Sequence, residues 1–96
     1  QAVVIPITER QHAYATEVCS ALRGASFRVY LDDRNEKVGY KIREAQLKKI
    51  PYMLVVGERE AAGNLVAVRH RESGDLGPWA LDKFMARLKE EIEEKK

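Results

Sequence analysis

A single cysteine, Cys19, leaves these 96 residues without the means for an internal disulfide or a cysteine-based metal cage, which suits a reducing compartment. Histidine is also scarce: His12 and His70 lie far apart, and neither belongs to a cluster with metal-ligand spacing. No apolar run approaches the roughly 18–20 residues of a membrane helix, and the opening residues show no signal-peptide pattern. A cytoplasmic protein with no membrane partner is the expectation. Glycine is sparse and scattered; Gly39 and Gly57 stand alone, so no glycine-rich phosphate loop is present. Adjacent carboxylates occur at Asp32 and Asp33, but nothing assembles a nucleophile, a base and an oxyanion site. No catalytic residue and no metal ligand is assigned.

What the chain does have is 45% apolar and 33% charged residues, the balance of one globular domain spanning residues 1–96. Repeats, low-complexity tracts and internal linkers do not interrupt it. Gln1 is followed almost at once by a strand-like run, which reads as a piece of a longer protein. The final "EEIEEKK" reads as a natural C-terminus.

Hydrophobic patterning predicts an α/β domain. "VVIPI" (Val3–Ile7) is a short buried strand. Thr8 and Gln11 fit a capping box, after which Ala15, Val18, Cys19 and Leu22 recur at helical spacing up to Gly24. Phe27, Val29 and Leu31 alternate with Arg28 and Tyr30, as in a strand. A second helix is predicted from Val38 to Ile50, stopped by Pro51. Tyr52–Gly57 is apolar throughout, the habit of a strand buried on both faces. "LVAVRH" (Leu65–His70) is another strand, and a last helix places Leu81, Phe84, Met85, Leu88 and Ile92 on one face. Helical crossovers between the first three strands make them parallel with right-handed connections. Gly63-Asn64 reads as a two-residue hairpin turn into the fourth strand, so the sheet is mixed, with helices on both faces.

That hairpin would set Glu60 opposite Ala67 and Glu58 opposite Arg69, gathering Glu58, Glu60 and Arg69 beyond the carboxyl end of a parallel strand. Ligands of open α/β sheets bind along that edge, and Asn35, just past the second strand, faces it too. The plainer reading is an exposed Glu58–Arg69 ion pair worth about 0–1 kcal/mol and an Asn35 that only caps a helix. Charge is concentrated nearby. From Arg34 to Lys49 there are six basic and two acidic residues, a local balance of +4 in a chain of +2. On a helix Lys37, Lys41, Glu44 and Lys48 form one stripe, either a solvated face or an electrostatic footprint for a polyanion.

"DDRNEKVGYKIREAQLKKIPYMLVVGERE" (Asp32–Glu60) resembles the signature region of the C-terminal anticodon-binding domain of threonyl-tRNA synthetase, a class II enzyme. The resemblance continues through "VAVRHRESGDLG" and "LDKFMARLKEEI" and so covers nearly the whole chain. The corresponding domains of the proline, histidine and glycine enzymes share the fold. The run "RNEKVGYKIREAQLKKIPYMLVVG" is more particular to the threonine enzyme. One departure is "PWALDKF", with Ala80 where a capping Ser or Asp would be usual.

The resemblance implies a three-layer α/β/α domain with a mixed, five-stranded sheet and three helices. Its fifth strand would come from around Gly74–Trp79. It implies a domain that is not itself an enzyme, in a parent that attaches threonine to tRNA(Thr). ATP, Mg2+ and Zn2+ would belong to the parent's catalytic domain, and the parent would be a homodimer. Threonine anticodons share G and U at their second and third places, and the positions that read them fall on Asn35, Glu60 and Arg69. A carboxylate can accept from both N1–H and the N2 amino group of guanine. Arg69 can approach O6 and N7 or stack on a base, and Asn35 matches the mixed edge of uracil. Arg34, Lys37, Lys41 and Glu58 complete the expected RNA-binding set, the cations on phosphates. The alternative is an accessory domain of the same fold that binds RNA or protein without synthetase activity.

Overall fold

The structure is a computed structural model that describes residues 2–34 and 36–94, so Asn35 lies outside the described residues. Ten elements of regular structure follow in order among the described residues: β1 (Ala2–Pro6), a short 3-10 turn (Glu9–Gln11), α1 (His12–Gly24), β2 (Val29–Leu31), α2 (Val38–Leu47), β3 (Tyr52–Val56), α3 (Glu58–Gly63), β4 (Leu65–His70), β5 (Gly74–Ala80) and α4 (Leu81–Glu94). The five strands form one sheet in the order β2-β1-β3-β4-β5. β1 pairs in parallel with both β2 and β3, whereas β3–β4 and β4–β5 are antiparallel. The mixed five-stranded sheet and the three long helices are therefore as expected, and Gly74–Ala80 is the fifth strand.

Each helix lies where its apolar stripe dictates. Ala15, Val18, Cys19 and Leu22 of α1 and Phe84 and Leu88 of α4 bury against Val4, Leu54, Val66 and Val68 on one face of the sheet. Ala45 of α2, flanked by Val38 and Ile42, covers Val3, Ile5 and Met53 on the other. Ile92, assigned by spacing to the α4 stripe, lies outside the residues whose side chains are described. A capping box precedes α1, as read from the sequence: Gln11 Oε1 accepts from the Thr8 N–H at 3.1 Å. No helix of the described residues is long and apolar enough to cross a membrane.

Two boundaries differ from the sequence expectation. α2 stops at Leu47, ahead of Pro51, because Lys49 turns left-handed (φ 60°) and the Ile50 N–H reaches back to the Ala45 carbonyl at 3.0 Å. That is a Schellman closure with lysine at the position glycine usually takes. The two-residue hairpin is replaced by α3. Glu, Arg and Ala are good helix formers, so the chain after Gly57 winds one and a half turns before Asn64 (φ 54°) reverses it. At the far edge, β5 carries Pro78, two glycines with positive φ and a register irregularity opposite Val68/Arg69.

Candidate nucleic-acid interface

Three loops meet where the parallel strands end. The Ile7 N–H donates to the Val56 carbonyl at 3.0 Å, and the Asp32 N–H to the Val4 carbonyl at 2.9 Å, so β1 and β3 end level with each other while β2 ends opposite Val4, short of them. Between the first two loops lies a cleft of about 310 Å³, bordered by Thr8, His12, Asp33 and Arg34; between the first and third lies a wider one bordered by Arg10, Gly57, Glu58 and Glu60. His12 Nε2 stands 3.4 Å from Asp33 across the narrower cleft.

The loop after β2 carries a tight charge network. Arg34 grips Asp32 with two bonds, Nε to Oδ1 and Nη2 to Oδ2, both 2.8 Å, and Nη2 also reaches Glu44 Oε1 at 2.9 Å. Its guanidinium lies 5.9 Å from the Tyr40 ring centre. The hydrogen bond from Arg34 holds the Asp32 and Glu44 carboxyls below their ordinary range, and it keeps the guanidinium charged. Lys48 Nζ adds a second cation 3.4 Å from Glu44. Lys41 does not stand in an exposed stripe, as its helical spacing predicted. It is 3% exposed, with Nζ donating to the Asp32 carbonyl at 2.9 Å. Its long stem runs beneath the loop, so the ammonium meets backbone instead of water. Lys37, Arg43 and Lys49 are exposed outside this network, whereas Arg34 and Lys48 are exposed within it.

The third loop places Glu60 in the first turn of α3, where Oε1 accepts from the Gly57 N–H at 2.7 Å. Spare acceptor capacity remains on the carboxylate. Glu58 is exposed and pairs with Arg10 at 3.6 Å, not with Arg69. Because α3 takes up the residues assigned to a hairpin, β4 pairs in a different register: Arg69 lies opposite Met53 and Ala67 opposite Val55. Arg69 thus stands four residues along β3 from Gly57, roughly 13 Å below the edge at about 3.3 Å per residue. The cross-strand neighbourhood predicted for Glu58, Glu60 and Arg69 does not form.

Arg69 instead occupies a sheet surface that no core cluster covers. Val66 and Val68 of β4 point into the core under α4, so Leu65, Ala67 and Arg69 point the opposite way, beside Ala80, Pro78 and Asp75 of β5. None of these six belongs to either core cluster. Arg69 Nε is buried and finds no hydrogen-bond partner among the described residues. A buried donor left unsatisfied calls for an explanation, and a ligand group that reached beneath this face would supply one.

The expected set thus divides by position. Arg34 and Lys41 tie Asp32, at the end of β2, to α2; Glu58 and Glu60 line a cleft at the edge, and Arg69 stands lower on the sheet. The sequence reading named Asp32 only as an adjacent carboxylate and Glu44 only as a member of the helical stripe, not as the partners of Arg34. Among the described residues no group of three or more His, Cys, Asp or Glu side chains could hold a metal ion.

Comparison with known proteins places this arrangement. Residues 1–91 match the family described as "Anticodon binding domain". The threonine–tRNA ligase of Symbiobacterium thermophilum is 58% identical over 95 residues, which is 99% of this chain and 15% of that protein. That of Caldanaerobacter subterraneus subsp. tengcongensis is 55% identical over 92 residues, 96% of this chain and 14% of the relative. The chain therefore spans about one seventh of the curated relatives it matches. Among solved structures, the RNA binding domain of threonyl-tRNA synthetase from Cryptosporidium parvum superposes with a TM-score of 0.89 at 34% identity, covering 94% of this chain and 23% of that one. Prolyl-tRNA synthetase from the same organism gives 0.86 at 28% identity, covering 98% and 21%. The chain belongs to the anticodon-binding-domain family, and its sequence sides with the threonyl-tRNA synthetases.

Proposed function

We propose that this domain docks the anticodon loop of tRNA(Thr) for a threonine–tRNA ligase and reads the G and U shared by its anticodons. The observation that carries the reading is the family match over residues 1–91, joined to relatives that are threonine–tRNA ligases. The side chains support it. Glu60 offers a carboxylate to the N1–H and N2 donors of guanine, a pair no other standard base presents. Arg69, whose buried Nε has no partner among the described residues, has donors of the kind that suit the O6 and N7 of a guanine and a plane that suits the face of a base. Asn35 suits the mixed edge of uracil. Lys37 stays exposed for phosphate, and Glu58 forms part of the rim of the cleft. An RNA loop that splays its bases would have to bridge the distance between Glu60 and Arg69, which suits two successive nucleotides more than one.

Threonine activation, ATP, Mg2+ and Zn2+ belong in this reading to the parent's catalytic domain, and the cytoplasmic, homodimeric parent supplies the docking partner. Titration of the isotope-labelled chain with anticodon stem-loops that differ only at the second and third places tests it. The G-U loop is expected to shift the resonances of Asn35, Glu60 and Arg69 at lower concentration than loops substituted there. Silence at all three residues with every loop would favour an accessory domain that has lost the RNA role.

A further inference from the structure

Tyr40 carries an aromatic ring that core packing does not account for. It is 50% exposed, and it belongs neither to the two core clusters nor to the partly buried side chains packed against them. Its place on α2 explains this: Val38, Ile42 and Ala45 turn toward the sheet, so Tyr40 and Leu47, two turns apart, share the solvent side. Exposure does not leave the ring loose. The Arg34 guanidinium lies 5.9 Å from its centre, and Glu44, one turn along the helix, holds the Tyr40 hydroxyl above its ordinary range, chiefly through a hydrogen bond. Arg34 is itself bound to Asp32 and Glu44, so both tethers of the ring end on one cluster. Exposed cations stand three residues to either side, Lys37 before it and Arg43 after it. Arg34 also borders the cleft between the first two loops, which sets the ring beside the edge where the strands end.

A fixed aromatic face between cations is how single-stranded nucleic acids are held without regard to sequence: a base stacks on the ring while its phosphates meet the charges. On the function proposed above, on which this inference rests, the RNA loop calls for such a contact. Threonine anticodons agree at their second and third places and differ at the first. Whatever holds the first base must accept all four, and a ring face does so, because every base has a flat face whereas their edges differ. We propose that Tyr40 is the stacking platform for the base at the first anticodon place, with Lys37 and Arg43 on the adjoining phosphates, so that the domain grips the variable nucleotide without reading it.

The experiment titrates the 96-residue chain with G-U stem-loops that carry each standard base in turn at the first place, and with one that has no base there. Two variants enter: Tyr40→Phe, which keeps the ring, and Tyr40→Leu, which removes it. Tyr40→Leu is expected to weaken the four complete loops alike, by roughly five- to tenfold, and to bind the loop without a base as the unaltered chain does. Tyr40→Phe should match the unaltered chain on every loop. A 2-aminopurine at the first place should dim when bound by the unaltered chain or by Tyr40→Phe, and stay bright when bound by Tyr40→Leu at saturation. Tyr40→Leu should still reject loops substituted at the second or third place by the unaltered ratio, which a damaged fold would not. No loss in Tyr40→Leu, a loss confined to one of the four bases, or an equal loss on the loop without a base overturns the inference and leaves the base-reading function standing. Failure of the unaltered chain to prefer the G-U loops overturns that function and this inference together, and it is seen before any variant enters.

Discussion

At Gly57 a β-carbon would lie 2.7 Å from Ile7 Cδ1 and 3.1 Å from Glu60 Oε1. The absence of a side chain there lets the chain turn into α3 and lets Glu60 reach the Gly57 N–H. Glu60 consequently has one oriented carboxylate at the edge of the cleft, and changing it to Gln keeps an acceptor for Gly57 while adding a donor. Glu60→Gln is expected to weaken the G-containing loop by about 1–3 kcal/mol and to leave substituted loops nearly unchanged. Calorimetric titration with paired loops checks this, and equal loss for every loop would refute the assignment. A second single residue governs behaviour in base. Burial, then the 2.6 Å hydrogen bond to Glu91, pushes the Tyr52 hydroxyl up to about 12 from an ordinary 10.0. The folded chain therefore holds this proton where the unfolded chain releases it. The stabilisation is complete below pH 10 and is lost as pH rises from about 10 to 12. Urea midpoints for the parent chain and Tyr52→Phe should differ in pH dependence across that interval alone.

At the scale of elements, sequence patterns specified what depends on burial and missed what depends on reach. Val3, Ile5, Met53 and Leu54 announce central strands because nothing polar interrupts them, and α1 follows from its cap and stripe. Lys41 was misjudged because helical spacing gives an azimuth, not the path of a neighbouring loop. The stem slides under Asp32 only once β2 and α2 are side by side. Arg69 was misplaced because Gly63-Asn64 looks like a turn, yet the preceding Glu-Arg-Glu-Ala-Ala favours a helix, and six residues move from ladder to helix. β5, with its glycines and proline, was legible only through the family pattern. The Schellman end of α2 gives an element-level prediction. Lys49 sits at φ 60°, so Lys49→Gly should stabilise the fold by about 1 kcal/mol, measurable as a raised denaturation midpoint with unchanged cooperativity. Loss of stability would mean that the lysine side chain contributes more than its backbone costs.

For the whole molecule, local neutralisation tempers the basic block. Arg34, Lys41 and Lys48 direct donors to Asp32 and Glu44, and the exposed cations of that segment outside this network are Lys37, Arg43 and Lys49. If those three meet phosphates of a single-stranded loop, log affinity should fall with log salt at a slope of about −2. A slope near −4, measured by anisotropy across several ionic strengths, would show that the network opens on binding and releases its cations. On the proposed function, such modest electrostatics would leave the choice of RNA to polar side chains such as Glu60 and Arg69.

The margins of the sheet carry a different consequence. β2 is only three residues long, and β5 is interrupted by Pro78, by Gly74 and Gly77 in left-handed geometry and by its skipped register. Neither border offers a foreign strand a continuous row of amides to zip onto. A unit so guarded can be appended to a much larger polypeptide and emerge from the ribosome beside other half-built sheets without stitching itself to them.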